Sequence, residues 1–207
     1  MKSILISIKP KWVAKILNGD KTIEIRKTMP KCELPCKVYI YCTKEKSYLD
    51  RLVQNHNGFY YTVRELVDFD ANEYGTYYDI AGKNGEVVAE FTLNRISTIE
   101  ICDPDILVNG KIASQPNLEQ SSRLTINDIM SYIGYGDDHD GWGNKEWSVG
   151  YAWHIDNLKI YDEPKELSEF TRMISEPFES WHYNHREKLK RPPQSWCYVE
   201  DNGDVKN

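Results

Sequence analysis

Gly19-Asp20-Lys21-Thr22-Ile23-Glu24-Ile25-Arg26 is the stretch that decides the fold. Gly19 closes a helical pattern, and strict alternation follows. Ile23 and Ile25 fall on one face of an extended chain, with Thr22, Glu24 and Arg26 on the other. The isoleucines belong in a core. The charged pair is expected to project into a concavity lined by Lys21, because burying an unpaired carboxylate is expensive. On this reading Ile25→Asp unfolds the domain, while Glu24→Ala and Arg26→Ala spare its stability. Upstream, Ser3-Ile-Leu-Ile-Ser-Ile8 is a short β-rich run that stops at Lys9-Pro10. Pro10 suits the first turn of a helix, and Trp12, Val13, Ile16 and Leu17 share one face until Asn18-Gly19 ends it. Downstream, after Pro30 and Pro35, Lys37-Val-Tyr-Ile-Tyr-Cys42 alternates as another strand.

Farther along, residues 44–84 mix helical patterns at Tyr48 to Val53 and Thr62 to Val67 with a Gly- and Tyr-rich loop, and read as an insertion. Residues 85–102 form the longest β-like run and predict one central strand, with Val87, Ala89, Phe91 and Leu93 on one side. Thr125 predicts an N-cap for a helix through Tyr132, and residues 134–143 a loop. One or two strands follow over residues 150–161, then a short helix from Pro164 to Phe170. Arg191-Pro192-Pro193 is a rigid turn before a closing strand, Trp196 to Glu200.

The 207 residues are 40% hydrophobic and 28% charged, with a mean hydropathy of -0.63, which excludes an integral membrane protein and favours a globular chain. No apolar run approaches the ~20 residues of a spanning helix. The N-terminus carries no export pattern and the five cysteines are an odd number, so the expectation is a cytoplasmic protein with reduced thiols. The net charge of -6 hides an asymmetry. Residues 1–46 hold eleven Lys/Arg against four Asp/Glu, and residues 182–191 hold four Lys/Arg against one Glu. A face built from these segments suits phosphates.

The order of strand, helix, Gly19-x-Lys21-x-x-Glu24-x-Arg26 strand and Val38-Tyr-Ile-Tyr-Cys-Thr43 resembles the ASCH family of PUA-like domains, as does Val87-Val-Ala-Glu-Phe91. The ending, residues 189–200, looks like that of phage-type or prophage-type members. The resemblance implies an α+β fold, a PUA-like mixed β-barrel with peripheral helices. It implies a single domain over residues 1–200, with two insertions at about 44–84 and 103–148 and a flexible tail at 201–207. It also implies a cleft for RNA or a modified nucleotide or nucleoside. There Lys21 and Arg26 would pair with phosphate and Glu24 would accept from a base edge, with Lys9, Tyr41 and Arg191 around them and Trp196 stacking on a base.

Binding is the leading expectation. Some members of the family are amidohydrolases on acylated cytidine nucleosides and others are ribonucleases. In the former a Thr nucleophile stands where this chain has Glu24. A hydrolase here would use Lys21 as base or electrostatic stabiliser and Glu24 as acid/base, with Glu90 or Glu119 as a further carboxylate. A third reading has the acidic insertion bind a host protein. No cofactor and no metal is expected. Cys32, Cys36, Cys42 and Cys197 with His182 and His185 match no common zinc spacing, and Asp137 to Gly141 misses the calcium-loop pattern. His154 reads as a satisfied strand histidine.

Overall fold

In the computed structural model the N-terminal pattern folds as its spacing dictates. Residues 2–68, 83–102, 105–112, 115–134, 147–178 and 181–201 are described. β1 (Ser3–Ile8) leads through α1 (Pro10–Leu17) to β2 (Ile23–Arg26) and β3 (Cys36–Cys42). A 3₁₀ turn at Tyr48–Asp50 precedes β4 (Leu52–Gln54), β5 (Tyr60–Thr62) and α2 (Val63–Asp68). Then come β6 (Val87–Leu93), β7 (Ile96–Cys102), β8 (Asp105–Val108), β9 (Lys111–Ile112), α3 (Gln115–Ser122) and α4 (Ile126–Ile133). β10 (Trp147–His154), β11 (Asp156–Lys165), a 3₁₀ turn at Leu167–Glu169, β12 (Phe170–Phe178), β13 (Trp181–Lys188) and β14 (Trp196–Asp201) complete the order.

These elements form two compact units. The first comprises Met1–Asn18, Cys36–Thr92 and Asn157–Asn207. Its sheet has the strand order β11-β6-β3-β1-β14-β12-β13. β1 runs parallel to β3 and antiparallel to β14, and all six of its residues are buried, as suits an interior strand covered on both faces. Leu5, Tyr39, Tyr41, Val87, Phe170, Leu189 and Val199 make one core cluster, in which Tyr39 meets Phe170 edge-on at 4.8 Å. Asn18 closes α1 and also joins it to β5, because its side chain donates to Tyr60 O and accepts from Tyr60 N, both at 2.8 Å.

The second unit comprises Gly19–Pro35 and Leu93–Asp156, with strand order β2-β10-β7-β8-β9. α3 and α4 contribute Leu118, Ile129 and Ile133 to a cluster with Ile23, Ile25, Ile99, Ile101 and Ala152 of the sheet. Thr125 starts α4 with a reciprocal cap: its hydroxyl accepts from Asp128 N at 3.1 Å, and Asp128 Oδ2 accepts from Thr125 N at 3.1 Å. Gly150 lets α4 approach β10, since a Cβ there would lie 2.4 Å from Ile133 Cγ2. Gly150→Ala is therefore expected to cost about 1–3 kcal/mol through overpacking. A urea midpoint equal to that of the wild type would show that Ile133 moves aside freely.

The α+β class holds, with open sheets: among the described residues the strands lie in two main sheets and a β4–β5 ribbon, and neither main sheet closes into a barrel. The single strand expected over residues 85–102 divides at Asn94-Arg95, β6 joining the seven-stranded sheet and β7 the five-stranded one. The helix expected at Tyr48 to Val53 is only a turn, because Leu52 and Val53 pair with Thr62 and Tyr61 instead. The one expected from Pro164 is likewise a turn, since β11 runs on through Lys165. No helix among the described residues is long and apolar enough to cross a membrane. The Gly- and Tyr-rich loop at 69–82, residues 135–146 and the tail from 202 lie outside the described residues.

Candidate functional site

β2 is an edge strand of the five-stranded sheet, and its register on β10 sets the site. Glu24 stands opposite Trp153 and Arg26 opposite Tyr151, while Ile25 faces Ala152 and Ile23 faces His154. Alternation thus puts Glu24 and Arg26 with Trp153 and Tyr151 on one face and the isoleucines in the core. The charges are not free-standing, however. Glu24 is 8% exposed, Arg26 7% and Lys21 2%. Glu24 Oε1 lies 3.1 Å from Arg26 Nη2, and Glu24 Oε2 lies 3.3 Å from Lys21 Nζ. The Glu24 carboxylate pairs with both cations, which offsets part of the cost of burying all three.

Backbone contacts place Lys21. Thr22 N donates to Ser121 O at 2.9 Å, and Arg123 clasps Asp20 through its carbonyl at 2.9 Å and its carboxylate at 3.2 Å. Lys21 Nζ donates to Ser122 O at 2.6 Å, at the carbonyl end of α3, where the helix dipole favours a cation. Burial lowers the Lys21 pKa below its ordinary value; the charge and hydrogen bond of Glu24 oppose that shift, and Arg26 adds to it. Thr22, the nearest hydroxyl in sequence, is exposed where Lys21 is buried, so the two do not form a base and nucleophile pair.

The remaining expected site residues lie in the first unit. Lys9 is exposed, and its carbonyl accepts from Trp12 and Val13 at the start of α1. Tyr41 is 3% exposed in the core cluster, where burial pushes its phenol pKa up. Arg191 is exposed, and Trp196 is half-buried, edge-on to Tyr198 at 5.4 Å. The two carboxylates considered for catalysis already have structural duties. Glu90 accepts from Tyr161 at 2.5 Å, and Glu119 accepts from Ile126 N at 2.7 Å at the start of α4. His154 bonds Ser97 Oγ at 3.0 Å, and burial lowers its pKa.

Burial pushes the Cys42 thiol pKa up to about 12, which favours the protonated thiol. Among the described residues no group of three or more His, Cys, Asp or Glu is gathered for a metal ion. Tyr151 and Trp153 are the additions that sequence reading missed as neighbours of the charged cluster. Alternation along residues 147–154 puts them on one face, but only the β2–β10 register brings that face to Glu24 and Arg26.

No family model and no curated protein matches the chain. Among solved structures it is similar to the ASCH protein of Zymomonas mobilis, at 14% identity and a TM-score of 0.47, over 96% of this chain and 87% of that one. A serine-to-alanine variant of the same Zymomonas mobilis protein is similar at 14% identity and a TM-score of 0.47, over 96% of this chain and 88% of the other.

Proposed function

We propose that the chain binds RNA or a modified nucleotide through the face of the five-stranded sheet that carries Glu24 and Arg26, with Lys21 fixing their geometry. One observation carries the reading: three charged side chains of both signs are locked together in a nearly dry setting that apolar residues would fill at lower cost. Such an array is preorganised. Arg26 offers guanidinium edges to a phosphate or carbonyl oxygen, Glu24 accepts from a base amino or imino group, and Tyr151 supplies a half-buried ring beside them.

Fluorescence anisotropy with a labelled short single-stranded RNA tests this. If Arg26 answers one phosphate, the salt slope is about -0.7, so affinity falls about 2.6-fold between roughly 50 and 200 mM salt. Absence of binding at the lower salt, or binding indifferent to salt, sinks the proposal.

A second reading, hydrolysis at the same cluster, is favoured by the lowered pKa of Lys21, which brings a neutral amine closer to physiological pH. Turnover of acylated nucleosides or labelled RNA, lost in Lys21→Met, supports it. A flat panel with and without divalent metal removes it.

A further inference from the structure

Among the described residues the β12–β13 hairpin pairs with β14 through Phe170 and Thr171, and it runs on as a two-stranded ribbon as far as Phe178 and Trp181. Where β13 ends, the chain turns around a cavity of about 360 Å³. Its floor is apolar. Leu189 is 5% exposed, with its amide bonded to Phe170 O at 2.9 Å, and Cys197 packs against the same core cluster. Its wall, Pro192-Pro193, is held by β1: Ser7 Oγ donates to Pro193 O at 2.7 Å and Ser7 N to Ser195 O at 2.9 Å. The cavity is therefore shaped by the protein's own bonds before any ligand arrives.

Charge around the cavity is unbalanced. Arg172, Lys188, Lys190 and Arg191 line it against the single carboxylate of Glu187. That carboxylate is already shared, 3.2 Å from Lys190 and 3.5 Å from Arg172. Lys188 and Arg191 have no carboxylate within ion-pair distance among the described residues, so two cations face the cavity without compensation.

We propose that this cavity binds a dianionic phosphate group, free or as a monoester, with Arg191 and Lys188 supplying the charge that Glu187 leaves unmatched. A phosphate monoester carries close to two negative charges at neutral pH and three acceptor oxygens, so one group answers both cations at once. A carboxylate brings a single charge. The volume lies within the range of small-molecule sites and accommodates the phosphate and the group it is attached to. The site belongs to the first unit alone and does not rest on the reading of the β2 cluster.

Calorimetric titration of the whole chain decides it, with inorganic phosphate, a nucleoside 5′-monophosphate, the matching nucleoside and succinate as the four probes. The expected result is binding of both phosphates, no binding of the nucleoside and weaker binding of succinate. Tighter binding of the monophosphate than of inorganic phosphate identifies the ester as the source, and equal binding the free ion. Arg191→Gln and Lys188→Gln are each expected to weaken phosphate binding about tenfold, as loss of one charge-assisted contact does, and to leave the melting temperature unchanged because both side chains are exposed. Arg191→Lys retains part of the affinity. The proposal is overturned if the nucleoside binds as well as its monophosphate, if succinate matches phosphate, or if both glutamine variants bind phosphate as the wild type does.

Discussion

Glu24→Ala is expected to destabilise the second unit by about 3–5 kcal/mol, the range for removing one partner of a buried ion pair. The residue is 8% exposed and its carboxylate pairs with both Lys21 and Arg26, so its loss takes a shared counter-charge away from two buried cations. A surface pair in the same sequence pattern would cost less than about 1 kcal/mol, so the size of the effect separates a buried array from the solvent-facing arrangement that alternation alone implies. Amide hydrogen exchange along β2 and β10, read beside a urea melt, localises the loss. The triple variant Lys21→Met with Glu24→Leu and Arg26→Met is expected to be neutral or more stable than the wild type, because it removes the desolvation cost together with the attraction. Should Glu24→Ala melt at the wild-type midpoint, the three charges are not a coupled buried network.

Ile25→Asp is expected to abolish the fold of the second unit. Ile25 is 3% exposed, opposite Ala152 on the face covered by α3 and α4. Truncating such a side chain alone costs about 2–5 kcal/mol, and the aspartate adds the cost of an uncompensated buried carboxylate of several kcal/mol, together comparable with a domain's whole stability of about 5–15 kcal/mol. Ile25→Ala is the companion: it should keep a cooperative transition at lower urea. Retention of a wild-type melt by Ile25→Asp would place this side chain outside the core.

The N-terminal elements were legible because their signals are local. Period-two alternation at Ile23 and Ile25, the Pro10 start and the Asn18-Gly19 stop of α1 each depend on a few adjacent residues. The β12–β13 hairpin was not legible, because much of it is solvent-exposed, Met173 and Tyr183 at 51% and 52%, and no apolar stripe marks its pleat. The break at Asn94-Arg95 is equally silent in hydropathy: β-forming residues continue on both sides, and only strand pairing assigns β6 and β7 to different sheets. At the site, alternation placed Glu24 and Arg26 on one face correctly. It said nothing of their burial, which depends on Ser122, a hundred residues away in sequence, and on the β10 register.

The pairing of β1 with β14 has a consequence for biosynthesis. Ser3 to Ile6 take Val199 to Trp196 as antiparallel partners, so this interior strand stays one neighbour short until the C-terminal strand has left the ribosome. At about 5–20 residues per second, the roughly 190 residues between them take roughly 10–40 s to translate. Throughout that interval a strand rich in isoleucine and leucine, Ser3-Ile-Leu-Ile-Ser-Ile8, has an unsatisfied hydrogen-bonding edge, the kind of segment that holding chaperones shield and that neighbouring nascent chains on a polysome can capture.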